Sequence, residues 1–161
     1  MTQEEFIKVL EEGSYSYKIE GGKIVVLTGV SNGFTHHIFV NFKSLKSLPP
    51  GVVFSNTGGV HLESLRSLPP GVEFKNGGDV HLESLKSLPS DVQFKMWDDG
   101  VVYLSSLTSI PPEVKFSTAS VRLDSIVGGG DGWFSQWKGN IKGIDNKRLL
   151  NFMISKGVFE R

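Results

Sequence analysis

The chain has 161 residues, 17 basic and 17 acidic side chains, and no cysteine. The balanced charge argues against both a nucleic-acid-binding footprint and an acidic mimic of nucleic acid. The missing thiols exclude disulfides, thiolate metal sites and cysteine nucleophiles. No run approaches the ~20 apolar residues of a membrane-spanning helix, and the opening MTQEEFIKVLEEG carries acids where a signal peptide would carry basic groups. One domain over residues 1–161, cytoplasmic and with no membrane or nucleic-acid partner, is the expectation.

Residues 2–13 read as a short amphipathic helix. Thr2 and Glu5 have capping-box spacing, Phe6, Val9 and Leu10 fall on one face, and Gly13 supplies the stop. A helix this short must dock on something, and the open end of a repeat stack offers the place.

From Tyr15 the hydrophobic period changes to two. Residues 60–94 contain one segment written twice, VHLESLRSLPPGVEF and VHLESLKSLPSDVQF. Aligning the chain on that unit gives strand-opening residues Ile24, Val40, Val60, Val80, Val102 and Val121, a period of about 20 residues, as in a solenoid. On this alignment Gly21-Gly22 corresponds to Gly77-Gly78.

Inward columns result: Val26, Phe42, Leu62, Leu82, Leu104 and Leu123; then Leu45, Leu65, Leu85, Leu107 and Ile126; then Leu48, Leu68, Leu88 and Ile110, each before a proline. Next come Val52, Val72, Val92 and Val114, and then Phe54, Phe74, Phe94 and Phe116, with Phe34 as an earlier member. Each coil thus supplies two short segments, V-x-L and V-x-F. A Leu-x-Ser-Leu-Pro corner joins them on one side and an Asn/Gly turn on the other. One coil cannot bury its own apolar side; stacking places each Leu, Val and Phe on its equivalent and builds one core. Proline suits a corner, and the Gly-Gly pairs are expected to supply positive φ in the return turn.

The fold expected is mainly β: a single-domain β-solenoid over 15–126, capped by the helix at 2–13 and by residues 127–161. The C-terminal cap includes a helix at about 145–156. Trp133, Phe134 and Trp137 are expected to form the core of that cap.

The stretches SLKSLPPGVVF, SLRSLPPGVEF, SLKSLPSDVQF and SLTSIPPEVKF resemble the units of short leucine-rich-repeat-like arrays in uncharacterised bacterial and bacteriophage proteins. The resemblance covers about residues 39–126. It implies a stacked binding scaffold, and a phage or mobile-element protein that binds a host factor. The units are shorter than standard leucine-rich repeats between the strand leucine and the Leu-Pro, so a horseshoe and a straighter, flatter solenoid both stay open.

Candidate chemistry is sparse. The outward column is Val25, Asn41, His61, His81, Tyr103 and Arg122, with Glu63 and Glu83 pointing the same way two residues on. A His2Glu2 cluster can be drawn, but zinc favours three or four specified ligands, and a repeat copies its histidines automatically. The expectation is therefore a solvated polar ladder with no metal and no cofactor. His36-His37 falls in a return turn without a nucleophile beside it, and no catalytic residue is assigned. An acidic column at Glu63 and Glu83 is expected to be offset by a basic one at Lys46, Arg66 and Lys86.

Met96-Trp97-Asp98-Asp99-Gly100 breaks a turn that elsewhere reads Asn-Gly-Gly, and tryptophan is enriched at binding hot spots. The function expected is non-enzymatic: a surface for another protein, with Met96, Trp97, Asp98, Asp99, His61, His81 and Tyr103 as the contact area. Self-association as a structural component, or a carbohydrate- or metal-binding surface, is the alternative.

Overall fold

A computed structural model describes residues 1–27, 39–96, 100–107, 110–111, 113–117 and 120–122. Helix α1 (Gln3–Glu12) is followed by β1 (Tyr17–Glu20), β2 (Lys23–Val26), β3 (Val40–Asn41), β4 (Val52–Phe54), β5 (Val60–His61) and β6 (Glu73–Phe74). Then come β7 (Val80–His81), β8 (Gln93–Lys95), β9 (Val101–Tyr103), β10 (Lys115–Ser117) and β11 (Ser120–Arg122). Two sheets result, in the orders β1-β2-β4-β6-β8-β10 and β11-β9-β7-β5-β3. All neighbours are parallel except the β1–β2 hairpin. Parallel sheets on both sides of each coil make this a β-solenoid.

The stacking is in register. Val60 pairs with Val40 and Val80, and Val80 with Val102. Phe54, Phe74, Phe94 and Phe116 stack ring on ring, with centroids 5.2, 5.1 and 4.7 Å apart. The valine, leucine and phenylalanine columns fill one core between the sheets. The corner resolves into two tight turns. In the first, Leu65 N–H bonds to Leu62 O, a bond repeated at Leu45, Leu85 and Leu107. The second comes after the proline, where Gly51 and Gly71 take positive φ of 72° and 74°. In the next coil Asp91 stands at the corresponding position, and its carboxylate accepts from Gly71 N–H at 2.7 Å.

The first coil departs from the expected alignment. Ile24 pairs with Val52, Val25 with Val53 and Val26 with Phe54, so β2 belongs to the V-x-F sheet and not to the column of Val40 and Val60. Val25 therefore leaves the outward His/Tyr column. Gly21-Gly22 is not a return turn either. It is the two-residue loop of a hairpin, with φ of 58° and 76°, as a type I′ turn requires. A four-residue β-rich run carries no mark of which sheet it joins, and Gly-Gly before a strand serves both kinds of turn.

The true return turns use glycine for another reason. Gly59 and Gly78 have no positive φ, but a Cβ on Gly78 would lie 2.7 Å from Gly59 N and 2.8 Å from Gly58 C. Close approach of successive coils, not left-handed backbone, demands glycine at 78. Asn56 and Asn76 are fully buried beneath these turns. The Asn56 amide donates to Gly58 O at 2.8 Å and Gly59 O at 3.1 Å. That of Asn76 donates to Gly78 O at 2.7 Å and Gly58 O at 3.2 Å.

Helix α1 docks on the first coil as expected. The capping box is present: Thr2 Oγ1 accepts from Glu5 N–H, and Glu5 Oε2 accepts from Thr2 N–H. Phe6 and Leu10 are buried, and the Phe6 ring meets Phe42 edge-on at 5.7 Å. The chain reverses at Ser14 (φ 57°) rather than at Gly13, whose φ is −82°. Gly13 instead makes room for the Tyr15 ring, which a Cβ would meet at 2.5 Å. Tyr15 Oη accepts from Asn41 N–H at 3.1 Å and bonds Asn41 O at 3.3 Å, which caps the outer edge of β3. Phe34, the 127–161 cap with its helix, and Trp133, Phe134 and Trp137 lie outside the described residues. Among the described residues, no helix is long and apolar enough to cross a membrane.

Candidate functional site on the outer face of the V-x-L sheet

Alternation along β5 and β7 turns Val60 and Val80 inward and His61 and His81 outward. In-register pairing then sets like on like: His61 on His81, and His81 on Tyr103. The rings stack with centroids 4.5 and 4.6 Å apart, each pair tilted by 6°. Because the ring faces cover one another, the ladder presents ring edges to solvent.

Each histidine is held by the glutamate of its own rung. His61 Nδ1 lies 2.8 Å from Glu63 Oε1 and His81 Nδ1 lies 2.7 Å from Glu83 Oε1. The imidazole donates from Nδ1, which leaves Nε2 on the outward edge. The second carboxylate oxygens, Glu63 Oε2 and Glu83 Oε2, are buried without a hydrogen-bond partner. Lys43 Nζ stands 3.8 Å from Glu63. Burial works against ionisation of Glu63, but the bond to His61, a backbone N–H and nearby Lys43 outweigh it and hold its carboxyl below the usual range.

The ladder differs from the solvated face expected of it. The histidine side chains are only 21% and 22% exposed. The acids are paired with histidines and Lys43, while Lys46, Arg66 and Lys86 stand exposed along the neighbouring corner. The H-x-E spacing, copied twice, is the readable signal for this pairing, since i and i+2 share a face. Sequence reasoning misses Phe39. It is 56% exposed and meets the His61 ring at 6.0 Å, nearly edge-on. An aromatic residue stands there where the next coils carry Gly59 and Asp79.

Of the other expected contact residues, Tyr103 is half-buried at the end of the ladder. Met96 is placed in the core, 7% exposed, at the position that Asn56 and Asn76 hold in earlier coils. Its thioether fills the space that an asparagine amide uses there, so it faces inward and not toward a partner. Trp97, Asp98 and Asp99 lie outside the described residues.

The V-x-F sheet offers a shallow depression of about 300 Å³ on its outer face. Its charges are internally paired. Lys23 and Lys75 both hold Glu73, at 2.6 and 2.8 Å, and Lys18 holds Glu20 at 2.8 Å. Compared with known proteins, the chain matches no family model, no curated protein and no solved structure.

Proposed function

We propose that the protein is a non-enzymatic repeat scaffold that binds another protein through the outer face of its V-x-L sheet. The carrying observation is the His61–His81–Tyr103 stack, fixed by ring packing and by Glu63 and Glu83. Side chains already held in one geometry lose little entropy on docking, so such a surface is preorganised for a partner. Phe39 adds an exposed apolar anchor beside it, and the 97–99 segment enters β9 next to Tyr103 in sequence. A phage or mobile-element origin, with a host protein as target, rests on the resemblance of the repeats alone.

The test is face-resolved capture from the native source. A photo-crosslinking residue at 103 or 39 should trap one reproducible protein, and Phe39→Ala or Trp97→Ala should reduce its recovery without lowering the melting temperature. Equal recovery from a crosslinker placed at Lys18, on the other sheet, would contradict the reading.

A second reading, self-association, has one specific support. β1 is the edge of its sheet, and Ile19 on it is 63% exposed. Antiparallel pairing of two copies centred on Ile19 sets Lys18 opposite Glu20 twice, a self-complementary contact. Light scattering over a concentration series checks this: a species that stays monomeric contradicts it, and dissociation of a dimer by Ile19→Lys supports it.

A further inference from the structure

The outer face of the V-x-L sheet gathers an unusual donor set. One ligating atom from each of His61, Glu63 and His81 lies within 4.8 Å of the other two. Glu83 is attached to His81 at 2.7 Å, so four nitrogen and oxygen donors occupy two adjacent rungs. Two carboxylates stacked one rung apart repel each other. Lys43 stands 3.8 Å from Glu63, at the edge of the group. Two acids and two imidazoles thus share one patch.

A second observation is independent of the count of ligands. Glu63 Oε2 and Glu83 Oε2 are buried and have no hydrogen-bond donor. A buried carboxylate oxygen without a partner is costly, and here the same defect occurs on both rungs beside both imidazoles. A cation drawn to these carboxylates would give a partner to an oxygen that has none.

We propose that His61, Glu63 and His81, with Glu83 bonded to His81, form a binding site for a divalent transition metal of the zinc class. The donors are imidazole and carboxylate without thiolate, a set that suits Zn²⁺ over Mg²⁺ or Ca²⁺. The ion lies between the two rungs and replaces the Nδ1–H···Oε1 bonds there. Each imidazole ligates through Nδ1 and carries one proton on Nε2; a ring that starts with its single proton on Nδ1 gives it to solvent and takes one up at Nε2, with no net release. Metal–ligand bonds of 2.0–2.1 Å set donor–donor edges of about 3.3 Å in a tetrahedron. The Nδ1–Oε1 distances of 2.8 and 2.7 Å are already below that edge, and the ligand atoms of His61, Glu63 and His81, all within 4.8 Å of one another, reach it by small side-chain movements. Partly exposed side chains of 21–34% relative area have room to tilt by that amount. The inference does not depend on a protein partner, although it uses the same face.

The experiment is calorimetric titration of the tag-free full chain with Zn²⁺, alongside its visible spectrum with Co²⁺. The expected result is one equivalent of Zn²⁺ bound and a Co²⁺ band of four-coordinate intensity. Zn²⁺ in excess should raise the melting temperature. His81→Ala should abolish the titration, and Glu83→Gln should weaken it about 10–100-fold. The tandem pair in the sequence provides the control: His36→Ala/His37→Ala should bind Zn²⁺ like the parent. Should His81→Ala fail to fold, Glu63→Gln and Glu83→Gln, which keep side-chain shape, decide the matter. The proposal is overturned if the parent takes up no Zn²⁺, if the His36/His37 variant loses it, or if both glutamine variants bind as the parent does. Failure to bind Zn²⁺ leaves the crosslinking test of the protein partner unaffected.

Discussion

Replacing Gly78 with alanine separates close coil packing from backbone conformation as the reason for glycine in the return turns. A Cβ there would sit 2.7 Å from Gly59 N and 2.8 Å from Gly58 C, both backbone atoms of the coil before it. Relief requires the two coils to part by several tenths of an ångström. That movement strains the Asn76 amide bond to Gly58 O, which crosses between the coils. Overpacking of this kind costs about 1–3 kcal/mol, and a weakened buried hydrogen bond adds about 1 kcal/mol. Lower entropy in the unfolded chain returns about 0.4–1 kcal/mol. The net expectation is a loss of about 1–3 kcal/mol, at about 2–4 °C per kcal/mol in thermal unfolding for a chain of this size. Gly21 is the comparator. Nothing lies within 4 Å of a Cβ there, but φ is +58°, so alanine costs about 1–2 kcal/mol through conformation alone. Asparagine, which tolerates that region, should recover part of the loss at 21 and none at 78. Thermal melts of the four variants decide it. A Gly78→Ala protein as stable as the parent, or one rescued by asparagine, would refute the steric reading.

Three further outcomes are expected. Phe74, fully buried and stacked on Phe54 and Phe94, should lose about 3–5 kcal/mol on truncation to alanine, measured by urea unfolding. Thr2→Ala removes the capping-box acceptor of α1 and should cost about 1 kcal/mol, with hydrogen exchange rising in α1 first. Hydrogen bonds from Lys23 and then Lys75 hold the Glu73 carboxyl below its ordinary value against partial burial. The folded state therefore binds that proton less readily than the unfolded chain. The associated stability is complete above the unfolded carboxylate pKa and is lost as pH falls through the lower folded value. Glu73→Gln should flatten that part of the acid limb in melts recorded across the pH series.

Much of the fold is legible in the sequence because stacked coils write their core as columns. Leu62 and Leu82, Val72 and Val92, and Phe54, Phe74 and Phe94 each fall inward by spacing alone, and each is buried. Spacing misleads where a local pattern fits two geometries. Residues 23–26 suit either sheet, and the hairpin to β1 makes the choice, a pairing that no repeat spacing encodes. Glycine's two uses, positive φ and the lack of a Cβ, look identical in sequence, which hides the reason for Gly78. Met96 reads as an anomaly in a loop because its column partners are asparagines, polar residues that are nonetheless fully buried. At the candidate site, the outward direction of His61, His81 and Tyr103 follows from alternation. Their ring stacking and their low exposure do not, because both depend on exact register between rungs.

The nitrogen shifts of the His61 and His81 rings test that ordered face most directly. Imidazoles that donate from Nδ1 to Glu63 and Glu83 must carry the Nδ1 proton at neutral pH, without added metal, in the parent protein. Both rings should show a protonated Nδ1 in ¹⁵N-resolved spectra, with the signal lost on Glu63→Ala or Glu83→Ala at the matching histidine. Rings found with Nδ1 unprotonated, or averaging between tautomers like free histidine, would contradict a ladder fixed by its glutamates.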